Sequence, residues 1–266
     1  MRKMAKILVT NDDGLYSPGL EILYKAVREL GEVYVIVPET PKSASGLGIT
    51  LHKPLRVNRV KFIDTYAFLI NGTPSDVIYM ALKVLAGPID LVVSGVNIGD
   101  NTSIQVILSS GTVGAAAQAS LEGIPAIAFS AAVKDGDILV KEELAHAIES
   151  CIRALVEEIL ENGLPKGVDL LNVNFPDVPS KRFKLARPAR VRFINIIEER
   201  EDPRGGTYYW LYGEPVEPEK GTDVYAVLVE KEIAVTPISL SFYILDSKEV
   251  VEFIEKVNGR LEEKSL

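Results

Sequence analysis

The sequence predicts an α/β protein: a mostly parallel sheet flanked by helices, with a hairpin and helix extension at its C-terminal end. Three observations carry that prediction. Short β-branched apolar runs at 7–10, 33–38, 90–94, 124–130 and 169–176 alternate with segments whose apolar residues recur at helical spacing. The runs are nearly continuous in apolarity, as strands covered on both faces require. Beyond Pro179 the character changes to strand-like runs separated by charged stretches, so residues 1–179 are expected to form the α/β core and 180–266 an extension that is not an independent domain. A chain of 266 residues, 47% hydrophobic and 25% charged, is long enough to bury such a core.

The first run, Ile7-Leu8-Val9-Thr10, meets Asn11-Asp12-Asp13-Gly14, so a buried strand delivers two adjacent carboxylates to the edge of a sheet. Neighbouring negative charges repel and are costly to desolvate, so a cation, a hydrogen-bond network or open water must compensate them. Seen alone, the motif also reads as a polar turn with Asp13 capping the next helix. Leu20, Leu23, Tyr24, Val27 and Leu30 then stand at helical spacing behind the cap pair Ser17-Pro18, and Gly31 ends that helix. The second strand, 33–38, completes a β-α-β opening with a right-handed crossover. Strand ends of an open parallel sheet share one edge, so the following loop 39–48 can bring Ser43 to Asp12 and Asp13.

Residues 49–57 and 66–70 read as extended pieces. Asn71-Gly72-Thr73-Pro74-Ser75-Asp76 reads as a helix start, with Thr73 as cap, Pro74 in the first turn and Asp76 at the positive end of the dipole; Gly87-Pro88 breaks that helix after about Leu85. The strand 90–94 empties into Gly95-Val96-Asn97-Ile98-Gly99, where Asn97 can offer a neutral oxygen to a hard cation. Ser109-Ser110-Gly111-Thr112-Val113-Gly114 reads as a cap and a closely packed helix start, whose free N–H groups suit an anion. After the strand 124–130 comes a long amphipathic helix, 142–160, and the strand 169–176 closes the main sheet. In the extension, 183–197, 208–212 and 225–233 read as strands, and 247–262 as a terminal helix.

Composition excludes several classes of function. A net charge of −8 leaves no basic footprint for a nucleic-acid duplex. The only cysteine, Cys151, rules out an intramolecular disulfide and an all-cysteine metal cage, and fits a reducing cytoplasm. No apolar segment has the length of a membrane span, and the N-terminal apolar run is too short for a signal peptide. His52 and His146 are isolated, which argues against a histidine nucleophile or a His-rich zinc site. Neither a Walker A loop nor a dinucleotide fingerprint follows a strand.

What remains is one edge carrying Asn11, Asp12, Asp13, Ser43, Asn97 and the Ser110-Gly111-Thr112 helix start. Two carboxylates, a hydroxyl and an amide oxygen suit one Mg²⁺ or Mn²⁺ ion, and an anion cradle beside them points to phosphoryl chemistry. Two non-catalytic alternatives stand beside it: a nucleotide-binding module without turnover, and a receiver-like regulatory module. The receiver design needs an acceptor aspartate at the end of a central strand, where this chain has Asn71 and Ser94.

Taken together and in order, Leu8-Val9-Thr10-Asn11-Asp12-Asp13-Gly14, Lys42-Ser43-Ala44-Ser45-Gly46, Asn71-Gly72-Thr73-Pro74, Val93-Ser94-Gly95-Val96-Asn97-Ile98-Gly99 and Ser110-Gly111-Thr112-Val113 resemble the SurE survival-protein family of metal-dependent 5′/3′-nucleotidases, also described as acid phosphatases. The resemblance covers about the first 130 residues. It implies a Rossmann-like domain with a C-terminal extension used in homodimer and homotetramer formation, and hydrolysis of nucleoside monophosphates to nucleoside and phosphate. It assigns Asp12, Asp13, Ser43 and Asn97 to the divalent metal, and Asn11, Ser110, Gly111 and Thr112 to the phosphate. Many relatives carry histidine or tyrosine where this chain has Ser109, and arginine where it has Lys42. The expected mechanism is attack by metal-oriented water, with Asp12 and Asp13 holding the ion and Asn11 among the groups stabilising phosphoryl oxygens; whether an aspartate acts as base or nucleophile stays open at this point.

Overall fold

A computed structural model describes residues 4–241 and 247–263. The strands are β1 (Lys6–Thr10), β2 (Glu32–Pro38), β3 (Val57–Phe62), β4 (Thr65–Ile70), β5 (Leu91–Ile98), β6 (Ala126–Ala131), β7 (Leu170–Phe175), β8 (Phe183–Leu185), β9 (Phe193–Glu201), β10 (Thr207–Pro215) and β11 (Ile233–Ile238). The helices are α1 (Pro18–Val27), α2 (Pro74–Met80, continued by a wider turn over Ala81–Leu85), α3 (Ser103–Ser109), α4 (Gly111–Leu121), α5 (Gly136–Leu139), α6 (Glu142–Asn162), α7 (Asp223–Leu228) and α8 (Lys248–Glu263).

Among these residues the main sheet runs β3-β4-β2-β1-β5-β6-β7-β11-β8. Its middle, from β4 to β7, is parallel, whereas β3 and β11 pair antiparallel with β4 and β7. Alternation along β1 explains the layers. Ile7 and Val9 face a core shared with α1 and α6, through Leu20, Leu23, Ile148 and Ile152. Leu8 faces the opposite core, with Val77 and Ile78 of α2 and the alanines of α4. From β1 the chain moves outward to β2 and β4, then returns to β5 on the other side of β1. Such a reversal of strand order opens a crevice at the C-terminal strand ends, where ligands of open α/β sheets bind.

The structure corrects several expectations. Residues 49–56 form no strand, because the alternation that pairs with β4 begins only at Val57. The fifth strand does not stop at Ser94 but continues to Ile98, through a register shift against β6 between Ser94 and Asn97. Helix α3, unread in the sequence, fills 103–109, so Ser109 ends one helix and Ser110 caps the next. The sheet does not close at β7: β11 and β8 extend it. The helix 223–228 takes the first four residues of the predicted strand 225–233, because Thr222 caps it by accepting from the Tyr225 amide and Val224, Ala226 and Val227 pack inward on one side. β9 and β10 form a separate antiparallel hairpin that leaves Ile194, Ile197, Tyr209, Trp210 and Leu211 exposed, and α8 likewise exposes Val250, Phe253 and Ile254. No helix among the described residues is long and apolar enough to cross a membrane.

Candidate active site

At the crevice, the buried end of β1 continues into Asn11, Asp12 and Asp13. Asn11 is fully buried, and its amide spans the turn: Nδ2 donates to the Gly14 carbonyl (2.9 Å) and Oδ1 accepts from the Gly14 amide (3.0 Å). Gly14 takes φ +88°, a left-handed conformation that glycine adopts without penalty. This closed turn directs the next two carboxylates outward. Asp12 is only 3% exposed, and Asp13 is partly exposed.

Each neighbouring loop is tied to this turn by backbone contacts. The Lys42 amide donates to the Asp12 carbonyl (2.7 Å), and the Gly46 amide to the Ser109 carbonyl (2.9 Å), so the loop 39–48 is strung between the end of β1 and the α3–α4 junction. The helix α4 approaches closely on that side. A side chain at Gly114 would meet the Gly46 carbonyl at 2.1 Å, and one at Gly111 would meet Asp12 Oδ2 at 2.8 Å and Ser45 Oγ at 2.7 Å. Small residues at the start of α4 are therefore a steric requirement of the site.

The result is an open cavity of about 230 Å³ lined by Asp12, Asp13, Ser43, Asn97, Asn101 and Ser110, among others. A second, apolar cleft lined by Leu47, Ile107, Val113, Leu170 and Leu240 carries a single hydroxyl, Ser239, and no titratable group.

Electrostatically, the cavity is short of positive charge. No lysine or arginine is among its lining residues. Burial, reinforced by the Asp13 charge, pushes the Asp12 carboxyl up to about 6 despite a hydrogen bond from the Thr112 hydroxyl. Burial also raises Asp13, against the pull of the Ile98 amide. Asn97 spends both amide hydrogens on the Ile98 (3.2 Å) and Gly99 (2.8 Å) carbonyls, which leaves Oδ1 as a pure acceptor, 3.4 Å from Thr112 Oγ1. The one hydroxyl hydrogen of Thr112 goes to Asp12. Two raised carboxylates, an undonated amide oxygen and the exposed Ser43 are an oxygen donor set that fits a hard divalent cation. Among the described residues no group of three or more His, Cys, Asp or Glu side chains converges, which sets this set apart from a zinc-type cage.

Beside the donors stands the start of α4. Ser110 Oγ accepts from the Val113 amide (3.2 Å), so its side chain is occupied as a cap. The Gly111 and Thr112 amides open the helix and have no intrahelical acceptor available, so they present N–H groups and the positive end of the dipole to an anion. Of the residues read from the sequence, Asp12, Asp13, Ser43, Asn97 and Ser110 line the cavity. Gly111 lies directly against Asp12, and Thr112 meets it through a hydrogen bond. Asn11 sits behind the carboxylates rather than on the wall, and Ser109 turns its hydroxyl back to its own helix, toward the Gln105 and Val106 carbonyls.

Sequence reasoning missed Asn101. It lines the cavity and is held by a buried amide network: its amide donates to Asn174 Oδ1 (2.7 Å), its Nδ2 to Ser130 Oγ (2.8 Å), and its carbonyl accepts from Asn172 Nδ2 (2.8 Å). The signal was two asparagines at alternate positions of an otherwise apolar strand, Asn172 and Asn174, which point to one face and need a shared partner.

Residues 7–195 match the model of the family described as Survival protein SurE. The chain is 60% identical over 245 residues to the 5'-nucleotidase SurE of Hyperthermus butylicus, an alignment covering 91% of this chain and 87% of that protein. It is 57% identical over 251 residues to the 5'-nucleotidase SurE of Thermofilum pendens, covering 94% and 96%. Its fold is similar to the crystal structure of the SurE protein from Aquifex aeolicus, with a TM-score of 0.78 at 31% identity over 94% of this chain and 99% of that one.

Proposed function

The chain belongs to the SurE family, and from that premise we propose that the Asp12 cavity is the centre of a divalent-metal-dependent phosphomonoesterase acting on nucleoside monophosphates. The activity class, 5'-nucleotidase and hence hydrolase of phosphoric monoesters, is that of relatives up to 60% identical over most of the chain. The observation that carries the site is the convergence of Asp12, Asp13, Ser43 and Asn97 with Ser110, the cap of α4, on one cavity without a basic side chain.

In this reading Asp12, Asp13, Ser43 and Asn97 hold one Mg²⁺ or Mn²⁺ ion, which when bound supplies charge neutralisation at the phosphoryl group and lowers the pKa of a water molecule. The chain's own contribution is positional. The Gly111 and Thr112 amides orient the phosphoryl oxygens and stabilise the charge that builds on them. The Thr112 hydroxyl, donating to Asp12, keeps that carboxylate turned toward the cavity. Asn11 acts from behind, by closing the turn that aims both carboxylates. In the absence of a cation Asp12 titrates near 6, so a proton competes with the cation for this carboxylate near neutrality. The buried free Cys151 fits a cytoplasmic protein, and the exposed apolar residues of β9, β10 and α8 fit a homodimer or homotetramer.

Phosphate release from a panel of nucleoside monophosphates and p-nitrophenyl phosphate tests the proposal. Release that stops with chelator and returns with Mg²⁺ or Mn²⁺ is expected. Release indifferent to chelation overturns the metal assignment, and no release from any nucleotide favours a binding module.

A further inference from the structure

We propose that Asp223, from the C-terminal third of the chain, is a positioning residue for the nucleotidase centre: it clamps Ser103 in a left-handed conformation and thereby fixes the Asn101-to-Ser110 wall of the cavity. The inference rests on the reading of that cavity as the active site.

Asp223 opens α7 and is fully buried. Its carboxylate accepts three backbone amides and no basic side chain: Oδ2 accepts from Ser103 (2.8 Å), and Oδ1 from Ala189 (2.9 Å) and Val224 (2.8 Å). Burying an acid in this way is costly, and burial outweighs the three amides in raising its pKa. Capping α7 does not require it, because the Thr222 hydroxyl already accepts from the Tyr225 amide (3.3 Å). The contact that reaches furthest along the chain is the one to Ser103.

Ser103 is also fully buried and takes φ +72°, a region that L-residues other than asparagine and aspartate rarely hold unless their surroundings impose it. It stands two residues after Asn101 and begins α3, whose C-cap is Ser110, the N-cap of α4. A change at Ser103 therefore moves Asn101 on one side and, through a short rigid helix, the phosphate-facing turn on the other. The same carboxylate steadies the strap that holds α3. Ala189, bound to Oδ1, accepts from the Ile104 amide (2.7 Å), and Gln105 Oε1 accepts from the Arg192 (2.9 Å) and Phe193 (3.0 Å) amides. Nearby, Asp100 takes the Thr102 hydroxyl and the Arg192 side chain, so the segment is gripped from both sides.

Asp223→Asn is close to isosteric and can keep the Ala189 and Val224 bonds through Oδ1, while setting an NH₂ group against the Ser103 N–H. The full-length variant is expected to melt cooperatively and to bind Mn²⁺ within about threefold of the unmutated protein, because Asp12, Asp13, Ser43 and Asn97 stand on other elements. Its kcat on a nucleoside monophosphate should fall about tenfold or more. Adding Ser103→Gly, which frees that position to hold a positive φ unaided, should recover at least about threefold relative to the Ser103→Gly control. An unchanged kcat in Asp223→Asn, or a loss that Ser103→Gly leaves in place, overturns the proposal. Hydrogen exchange on the unmutated protein decides independently, including the case in which Asp223→Asn does not fold. The Ser103 amide should exchange at least about 100-fold more slowly than exposed amides, and an unprotected Ser103 amide refutes the clamp. An unmutated chain that releases no phosphate would instead refute the nucleotidase reading, with the clamp still judged by exchange.

Discussion

Replacing Asp12 by asparagine should make the metal-free protein more stable, not less. In the folded chain the Asp12 carboxyl is raised from 3.8 to about 6, chiefly by burial and then by Asp13. A group whose folded pKa exceeds its unfolded pKa holds its proton more tightly in the native state, so stability falls as pH rises through the interval between the two values. About two pKa units correspond to about 3 kcal/mol, a contribution fully present below about pH 4 and fully lost by pH 7.5. Asparagine removes that titration and can still accept from Thr112. With chelator at pH 7.5, Asp12→Asn should melt about 5 °C above the unmutated protein, and near pH 4 the two should coincide. A divalent cation should reverse the order. At a thousandfold excess over its dissociation constant it stabilises the unmutated protein by about 4 kcal/mol, and the variant, short of one ligand, far less. Differential scanning calorimetry across these conditions is the assay. Equal metal-free stability at both pH values, or equal stabilisation of both proteins by Mn²⁺, would refute the reading of Asp12 as a charge held for a cation. The variant should also lose most phosphatase activity.

Two further outcomes follow from the same geometry. Affinity for Mn²⁺ should weaken as pH falls below about 6, by up to tenfold per unit once the Asp12 proton competes, and titration calorimetry at several pH values checks it. Gly111→Ala would place a methyl carbon 2.8 Å from Asp12 Oδ2 and 2.7 Å from Ser45 Oγ, so it should cost about 1–3 kcal/mol of stability and at least about tenfold in kcat/KM. Wild-type kinetics in that variant would show that α4 does not press on the carboxylate.

Much of this arrangement was legible along the chain because it is local. Strand β1, the capping box of Thr73 and Asp76, and the cap of α4 at Ser110 depend on neighbours within three or four residues. Parallel strand ends share an edge by topology, which is why Asp12, Ser43 and Asn97 could be brought together from spacing alone. Helix α3 escaped notice because it is only seven residues long and sits inside a polar, glycine- and asparagine-rich stretch; backbone groups of the distant 189–193 segment hold it in place. Likewise Tyr225 to Ile233 reads as a strand by composition, yet the cap at Thr222 and burial against β11 make its first part a helix.

By itself, then, the sequence determined the alternation of strands and helices through β7, the buried parallel core and the oxygen-bearing residues that converge on one edge, since hydrophobic periodicity and residue chemistry are properties of short stretches. Tertiary structure alone decided their working state. It turned Asn11 inward on Gly14, engaged the Thr112 hydroxyl with Asp12, and set Asp223 against Ser103, 120 residues away in the chain. Which hydrogen bonds a polar group makes, and how far burial shifts its pKa, depend on what the fold packs around it, and no stretch of sequence contains that neighbourhood.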